Sequence, residues 1–504
     1  MLSILIPFLA ATLGPELPLS NIRITSAPYT QTVSSVASNG RDFLALWSDP
    51  RNTLDPNTWQ RYSALYAGRI DASGRPLNPT GHKLFEAASG RMTWTGNEYA
   101  IVYTLATGHS YFQQLDDDGN LTGTLKELAL GGPAVAMVSN GDNILLVHTS
   151  VYNVGADVSL VDKNGTILST TLISPIERIG QPFVLAGGDD YAFTTTRNVC
   201  PGNVPCIRTV WLITVRANDG TVTEKPIFDT TQSSQASATA SNDGRILVAV
   251  QQDQQGSRTA SYEIIRRDGS IVAPITLLES AFPRSISGVA TPAVGWDGRE
   301  FLVTVQWPSE EERTTVLHAF RVAADGARLD AAPKILDVTA YGYNDAPLFA
   351  SSAVGQLVAW NSNSDVFVRA ARSFDDIAAT AAYDITMAPA LQRSPKLANG
   401  AFAVWVENDV NSSVRGSFVG GSDATILTTS ASVITPPVVA RGESSYLVVW
   451  RVFSPLQVIG RRVSLDGSPL GGPFVIAAEL NAYPDWSYER KDLAVGFDGR
   501  NFFL

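Results

Sequence analysis

The sequence predicts an all-β protein: a β-propeller of four-stranded antiparallel blades, with about nine to ten repeats forming one large ring or two consecutive smaller propellers. Three observations predict it. A turn-then-strand phrase returns along almost the whole chain. The strand in that phrase is apolar on both of its faces. No stretch carries helical periodicity, and 40 Gly and 28 Pro are spread too evenly to leave room for long helices. A string of β-sandwiches or a β-solenoid is the competing all-β arrangement.

The phrase is a small polar turn containing Gly, followed by a β-rich run that often ends in Trp. Its copies are Asn39-Gly40 before FLALW, Gly96-Asn97 before YAIVY, Asn140-Gly141 before ILLVH, Gly188-Asp189 before YAFTT, and Asp243-Gly244 before ILVAV. They continue with Asp297-Gly298 before FLVTV, Gly355 before QLVAW, Asn399-Gly400 before AFAVW, Gly442 before YLVVW, and Asp498-Gly499 before FFL. Their glycines stand 42 to 57 residues apart, the interval of a four-stranded unit. A second turn follows the first by 20 to 34 residues, as at Ser73-Gly74, Asp118-Gly119, Asn164-Gly165, Asp219-Gly220, Asp268-Gly269, Asp325-Gly326, Gly420-Gly421 and Asp466-Gly467. Only the seventh unit lacks a clear copy. Because Asn-Gly and Asp-Gly supply the positive φ of tight hairpin turns, each unit reads as two hairpins.

In the first unit the expected strands are A near Thr32 to Ser38, B near Asp42 to Ser48, C near Ala64 to Asp71, and D near Pro76 to Phe85. In FLALW, Phe43, Ala45 and Trp47 point to one face and Leu44 and Leu46 to the other. A strand apolar on both sides is buried on both sides. Sheets stacked face to face around an axis provide that burial.

The turn chemistry, the FLVVW-type strand, an Arg-bearing strand such as YAGRIDASG (66 to 74) or VIGRRVSLDG (458 to 467), and a Pro/Leu-rich return together resemble the repeats of secreted bacterial β-propeller proteins. The resemblance covers residues 30 to 504 and implies architecture, not catalysis. It departs from WD40 repeats, since no Gly-His and Trp-Asp pairs recur, and from kelch repeats, since no double glycine is periodic. SLDGSPLG (464 to 471) imitates the sialidase Ser-x-Asp-x-Gly-x-x-Trp box without its Trp.

Residues 1–29 carry two competing expectations. MLSILIPFLAATLG has the apolar run and small residues of a secretory signal, but no Lys or Arg precedes Arg23. Alternatively, residues 2 to 13 and Leu17 to Ser26 supply strands C and D to a composite blade whose A and B strands lie at the C-terminal end, the repeat region 30–504 finishing in an incomplete blade. Cys200 and Cys206, the two cysteines of the chain, flank a turn-rich Pro-Gly-Asn-Val-Pro segment and are expected to form a disulfide, with free thiols as the alternative. A membrane span is not expected, since the N-terminal run is broken at Pro7 and ends by Gly14.

The chain of 504 residues is 44% hydrophobic and 17% charged, which excludes a disordered protein, and its net charge of −11 with no basic run excludes a nucleic-acid partner. No zinc motif, nucleophile elbow or phosphate-binding loop occurs, so no catalytic residue, metal site or cofactor is assigned. His148 takes the place of a strand-end Trp and reads as a packed residue. The acidic runs Asp116 to Asp118, Asp189 and Asp190, Glu310 to Glu312, and Asp375 and Asp376 read as solvated turns. Strand C carries Arg69, Arg216, Arg266, Arg321, Arg369, Arg415 and Arg461, read as blade-surface residues paired with neighbouring acids.

Symmetry breaks in the loops. Pro50 to Arg61 with Trp59, the cysteine segment, Trp307 to Arg313, and Asn481 to Trp486 are the insertions, and they single out Trp59, Trp307, Tyr483 and Trp486 as ligand-binding candidates. The functional expectation is a noncatalytic extracellular or cell-surface propeller that binds a protein or polysaccharide through loops on one face. The alternatives are a carboxylate-dependent glycan-active enzyme and a structural spacer in a larger surface protein.

Overall fold

The computed structural model describes residues 24–26, 30–51, 63–86, 89–150, 155–173, 178–188, 190–199, 207–230, 234–254, 257–281, 291–309, 314–340, 346–362, 365–389, 391–399, 402–408, 412–418, 424–429, 437–452, 457–478 and 493–504. They fall into two compact units: Tyr29–Met387, and Met1–Pro28 with Ala388–Leu504.

In Tyr29–Met387 the described residues build seven antiparallel sheets, each taking its strands in sequence order, which is the blade topology expected. Blade 1 has strand A at Thr32–Ser38, B at Phe43–Asp49, C at Ala64–Ile70 and D at His82–Glu86. The A strands of blades 2 and 3 are Ser89–Trp94 and Ala134–Ser139, and those of blades 5 to 7 are Ser234–Ala240, Ala293–Trp296 and Leu348–Ser352. In blade 4 strand A is split into Arg178–Ile179 and Phe183–Val184, both paired with Asp190–Val199. Pro182 lies in the break, where a residue without an N–H cannot extend the ladder.

The B strands are buried on both faces, as their sequence requires. Phe43, Ala45 and Trp47 share a core with Leu357, Ala359, Val366 and Val368 of blade 7. Leu44 and Leu46 share another with Met92, Tyr99 and Ile101 of blade 2. Blade 1 is thus packed between blades 2 and 7, and the seven blades close into a ring. A hydrogen bond from the Val33 N–H to Asn361 Oδ1 at 3.0 Å spans the closing seam. Seven blades closing on themselves exclude the expected alternative of one ring containing all the repeats.

Trp47 and Trp360, at equivalent ends of their B strands, are 0% and 2% exposed. His148 replaces this Trp in blade 3; it is buried, its Nε2 lies 2.9 Å from Ser159 Oγ, and burial pushes its imidazole below the usual histidine range. Two departures from the expected pattern have local causes. Strand D of blade 1 starts at His82 rather than Pro76, because residues 76–81 turn beneath Trp47. Gly81, at φ +57, comes so close to the indole that a Cβ would stand 2.3 Å from Cη2. In blade 7 the missing C-to-D glycine turn is replaced by a longer connection after Ala371, pinned by Phe374 and Ile377, both 0% exposed.

The second unit contains blade 8 (Leu391–Ala398, Phe402–Asn408, Ser412–Phe418, Thr425–Thr429) and blade 9 (Val438–Arg441, Ser445–Val452, Gln457–Ser464, Pro469–Ala478). Phe402 and Val404 pack on Tyr446, Val448 and Trp450, repeating the interblade core. A two-stranded ladder, Gly496–Phe497 with Phe502–Phe503, follows blade 9, and Leu493, Val495 and Phe502 lie on its Leu447, Val449 and Val458. Residues 1–23, and with them the signal-peptide alternative and most of the proposed closing strands, lie outside the described residues; Ile24–Ser26 is a strand paired with Met387–Pro389.

Candidate functional site

All seven A strands of the ring line one central cavity of about 450 Å³. Propeller A strands do not pair edge to edge by backbone hydrogen bonds, so side chains tie neighbours together. Ser35 Oγ accepts from the Met92 N–H at 3.1 Å, and Thr93 Oγ1 accepts from the Ser139 N–H at 3.2 Å. These hydroxyls are thereby committed to the frame. The remaining wall mixes polar Ser34, Gln181 and Thr239 with apolar Val36, Val138 and Phe349. Trp94 and Trp296 stand at the end of the A-to-B turns, where the Trp296 indole N–H donates to Asn242 Oδ1 at 3.2 Å.

Arg91 is the one ionisable side chain among the described lining residues. Its Nε donates to Val135 O and its Nη1 to Gly90 O, each at 2.7 Å, so the guanidinium is held against the backbone. No Asp, Glu, His, Cys or Lys is among these residues.

A second group of charges sits where blade 7 meets blade 1. Asp49, fully buried, accepts from Arg51 Nε at 2.6 Å and from Trp47 Nε1 at 3.3 Å. Arg51 lies over the Tyr66 ring, 4.5 Å from its centroid, and also donates to Thr80 O at 3.1 Å. Asp384 Oδ1 accepts from the N–H and the hydroxyl of Thr386 at 2.7 and 2.8 Å. Asp365, at the start of strand C in blade 7, feels both carboxylates. Burial first, then the negative charge of Asp384 and Asp49, raise its carboxyl to about 7 against a partial offset from Arg51. This protonatable carboxyl carries no sequence signature, since its neighbours come from three separate strands and loops.

Of the residues expected to bind a ligand or form the disulfide, Trp307 is the one that lies among the described residues. Trp307 is 6% exposed and belongs to the core between blades 5 and 6. Its selection as an exposed ligand contact is corrected: strand B of blade 6 runs through Ser309, which carries Trp307 into the sheet instead of the loop. Trp59, Tyr483, Trp486, Cys200 and Cys206 lie outside the described residues.

The strand-C arginines do not form a ring of free cations. Arg321 Nη2 pairs with Asp330 at 2.7 Å, Arg415 Nε with Glu407 at 2.7 Å and Arg69 Nη1 with Asp118 at 2.6 Å. Arg216 pairs with Asp219 at 3.4 Å. Arg369 donates to the carbonyls of Ala378 and Leu336 at 2.8 and 3.0 Å, and Arg461 to that of Gly471 at 3.2 Å. Of the acidic runs, Asp116 caps its own turn by accepting from the Asp118 and Asn120 N–H groups at 3.0 and 2.8 Å. Asp117 pairs with Arg41, Asp190 with Arg267, and Asp375 with Arg299 and Arg321. Glu310 to Glu312 and Asp189 lie outside the described residues. No helix among the described residues is long and apolar enough to cross a membrane.

No protein-family model matches the chain. No curated protein matches it either. Solved structures do. The Dos1 propeller is 12% identical, with 68% of this chain and 95% of that one covered at a TM-score of 0.39. An ulvan lyase, described as a new family of polysaccharide lyase, is 12% identical, with 72% and 99% covered at a TM-score of 0.42. TolB from Acinetobacter baumannii is 12% identical, with 77% and 80% covered at a TM-score of 0.25. The fold itself is fixed by the chain's own sheet order: a β-propeller of four-stranded blades.

Proposed function

We propose that this protein is a noncatalytic, extracellular or cell-surface binding propeller that takes a protein or polysaccharide on the loop-bearing end of its seven-blade ring. The observation that carries the reading is the composition of the central cavity. Acid–base and nucleophilic catalysis need a group that exchanges a proton near neutral pH or an activated nucleophile. The described walls offer Ser and Thr hydroxyls without a base, and one arginine already bonded to backbone carbonyls. Such a surface suits recognition.

The loop-bearing end follows from strand direction. In an antiparallel four-stranded blade the B-to-C and D-to-A connections leave from one end and the A-to-B and C-to-D connections from the other. Strand B ends at Asp49 in blade 1, Val199 in blade 4 and Ser309 in blade 6, so the segments with Trp59, with Cys200 and Cys206, and with Glu310 to Glu312 start from the same end of the ring. Trp59 is the proposed contact there, and Tyr483 and Trp486 are the corresponding candidates of the second unit. Binding to glycan and protein panels by wild type and Trp59→Ala tests this. Loss of about ten-fold or more in affinity is expected for a buried aromatic anchor, and unchanged binding removes Trp59 from the site. A Cys200–Cys206 disulfide would hold its loop and contribute about 2 kcal/mol. Thiol titration of the denatured protein is expected to find no free thiol until a reductant is added.

A second reading has one observation in its favour. Asp365 holds its proton up to about pH 7 beside Asp49, which is ion-paired with Arg51, and a carboxylic acid next to a carboxylate is the currency of glycoside chemistry. Turnover of a polysaccharide panel that disappears in Asp365→Asn while binding persists would replace the noncatalytic reading with the enzymatic one.

A further inference from the structure

We infer that a cleft between blades 4 and 5, at the tight-turn end of the ring, is a binding site for a saccharide unit carrying a carboxylate or sulfate group. The cleft has a volume of about 660 Å³ and is lined by Thr214, Thr223, Asp243, Arg245, Arg266 and Arg267, with Gly244 and Asp268 completing it. That size lies within the roughly 300–1,000 Å³ of small-ligand sites. It gathers three arginines in a chain whose net charge is −11.

Arg245 and Arg266 stand directly opposite each other in the ladder between strands B and C of blade 5. Like charges at facing positions repel. Arg245 is relieved by Asp243, 3.1 Å from its Nε, and Arg267 by Asp190 of blade 4, whose side chain is 5% exposed. Arg266 feels the charge of nearby Asp268 but forms no ion pair with it. Among the described residues its exposed guanidinium makes no hydrogen bond. Asp268, two residues on, turns its carboxylate to the Ser270 N–H at 2.9 Å. The six other strand-C arginines all have acids or carbonyls as partners, so Arg266 breaks the repeat's symmetry at the point where a cleft opens.

A guanidinium fork matches two oxygens of a carboxylate or sulfate. Around that fork the walls present Thr214 and Thr223, facing each other across strands C and D of blade 4, and the Asp243 and Asp268 carboxylates. Hydroxyls and carboxylates are the partners that sugar hydroxyls use, and no aromatic face is present for stacking a base. The polar, mixed-charge wall favours a hydroxylated acidic ring over an acidic peptide. The cleft lies at the opposite end from the loop surface, so the two sites stand or fall separately.

Titration calorimetry of the full chain with an oligogalacturonate, a sulfated dextran fragment, a neutral dextran fragment and an oligoglutamate tests the inference. At least one acidic saccharide is expected to bind, with carboxylate and sulfate separated by the first two probes, and the neutral fragment is not. Loss of a charge-assisted bidentate contact in Arg266→Gln is expected to weaken binding by about ten-fold or more. Rising salt is expected to weaken it further, because the charges are exposed. Arg41→Gln, which removes an equal charge at a distant surface pair with Asp117, is expected to leave binding unchanged. Absence of binding by both acidic saccharides, equal loss in the two variants, or oligoglutamate binding as tightly with the same dependence on Arg266 would each overturn the assignment. None of these results depends on Trp59.

Discussion

Burial of Asp365 beside Asp49 and Asp384 makes the folded ring hold a proton that the unfolded chain releases at an ordinary carboxyl pKa near 3.8. The folded pKa is the higher one, so this group's contribution to stability is complete below about pH 4 and is lost as pH rises toward 7. Partial solvent screening limits the effect to about 2 kcal/mol. Asp365→Asn removes the ionisation and keeps the shape, so thermal unfolding at pH 8 is expected to shift upward by about 2–4 °C, with little change near pH 4. A lower midpoint at pH 8 would contradict the seam electrostatics. Gly81 makes a steric prediction. Its φ of +57 and the Trp47 ring 2.3 Å from an added Cβ both penalise a side chain, and Gly81→Ala is expected to cost about 2–4 kcal/mol in denaturant unfolding. The sequence marks hairpin glycines well, yet Gly81 lies outside that pattern. Its constraint comes from Trp47, which precedes it by a whole hairpin, and only packing brings the two together.

The blade is the element at which sequence and structure agree most closely. Thr32–Ser38, expected from alternation and turn spacing, is the observed strand A, and the two apolar faces of FLALW enter two different cores. Agreement fails where a side chain does a turn residue's work, as Phe374 and Ile377 do in blade 7, because burial of large apolar groups leaves no local composition cue. Elements also meet across the closing seam, where covalent continuity is absent. The Val33 N–H is satisfied there by Asn361. Asn361→Ala leaves that buried donor without its acceptor and is expected to cost about 1–3 kcal/mol. Hydrogen exchange should quicken together in strand A of blade 1 and strand B of blade 7. Faster exchange confined to blade 7 would show that the seam bond does not couple them.

For the whole molecule, blades 1 and 7 bury each other's apolar faces, so the ring needs no further blade to complete its core. Residues 29–387 expressed alone are therefore expected to unfold in one cooperative transition with native-like near-ultraviolet dichroism; an expanded, dye-binding state would contradict closure. The candidate sites belong to this scale, which explains why the sequence does not display them. The central cavity is assembled from seven short Ser-, Thr- and Val-rich strands, each indistinguishable in sequence from any half-buried strand, and the Arg266 cleft joins the turns of one blade to the outer strands of another. By itself the sequence determined the repeating unit, its turn positions and the double-sided burial of its B strands, because these follow from local φ preferences and a period-two pattern of side chains. Tertiary structure alone decided that seven blades close, that Trp307 is core, and that Arg266 faces an open cleft. Those outcomes depend on the angle and fit between sheets far apart in the chain, which no local pattern encodes.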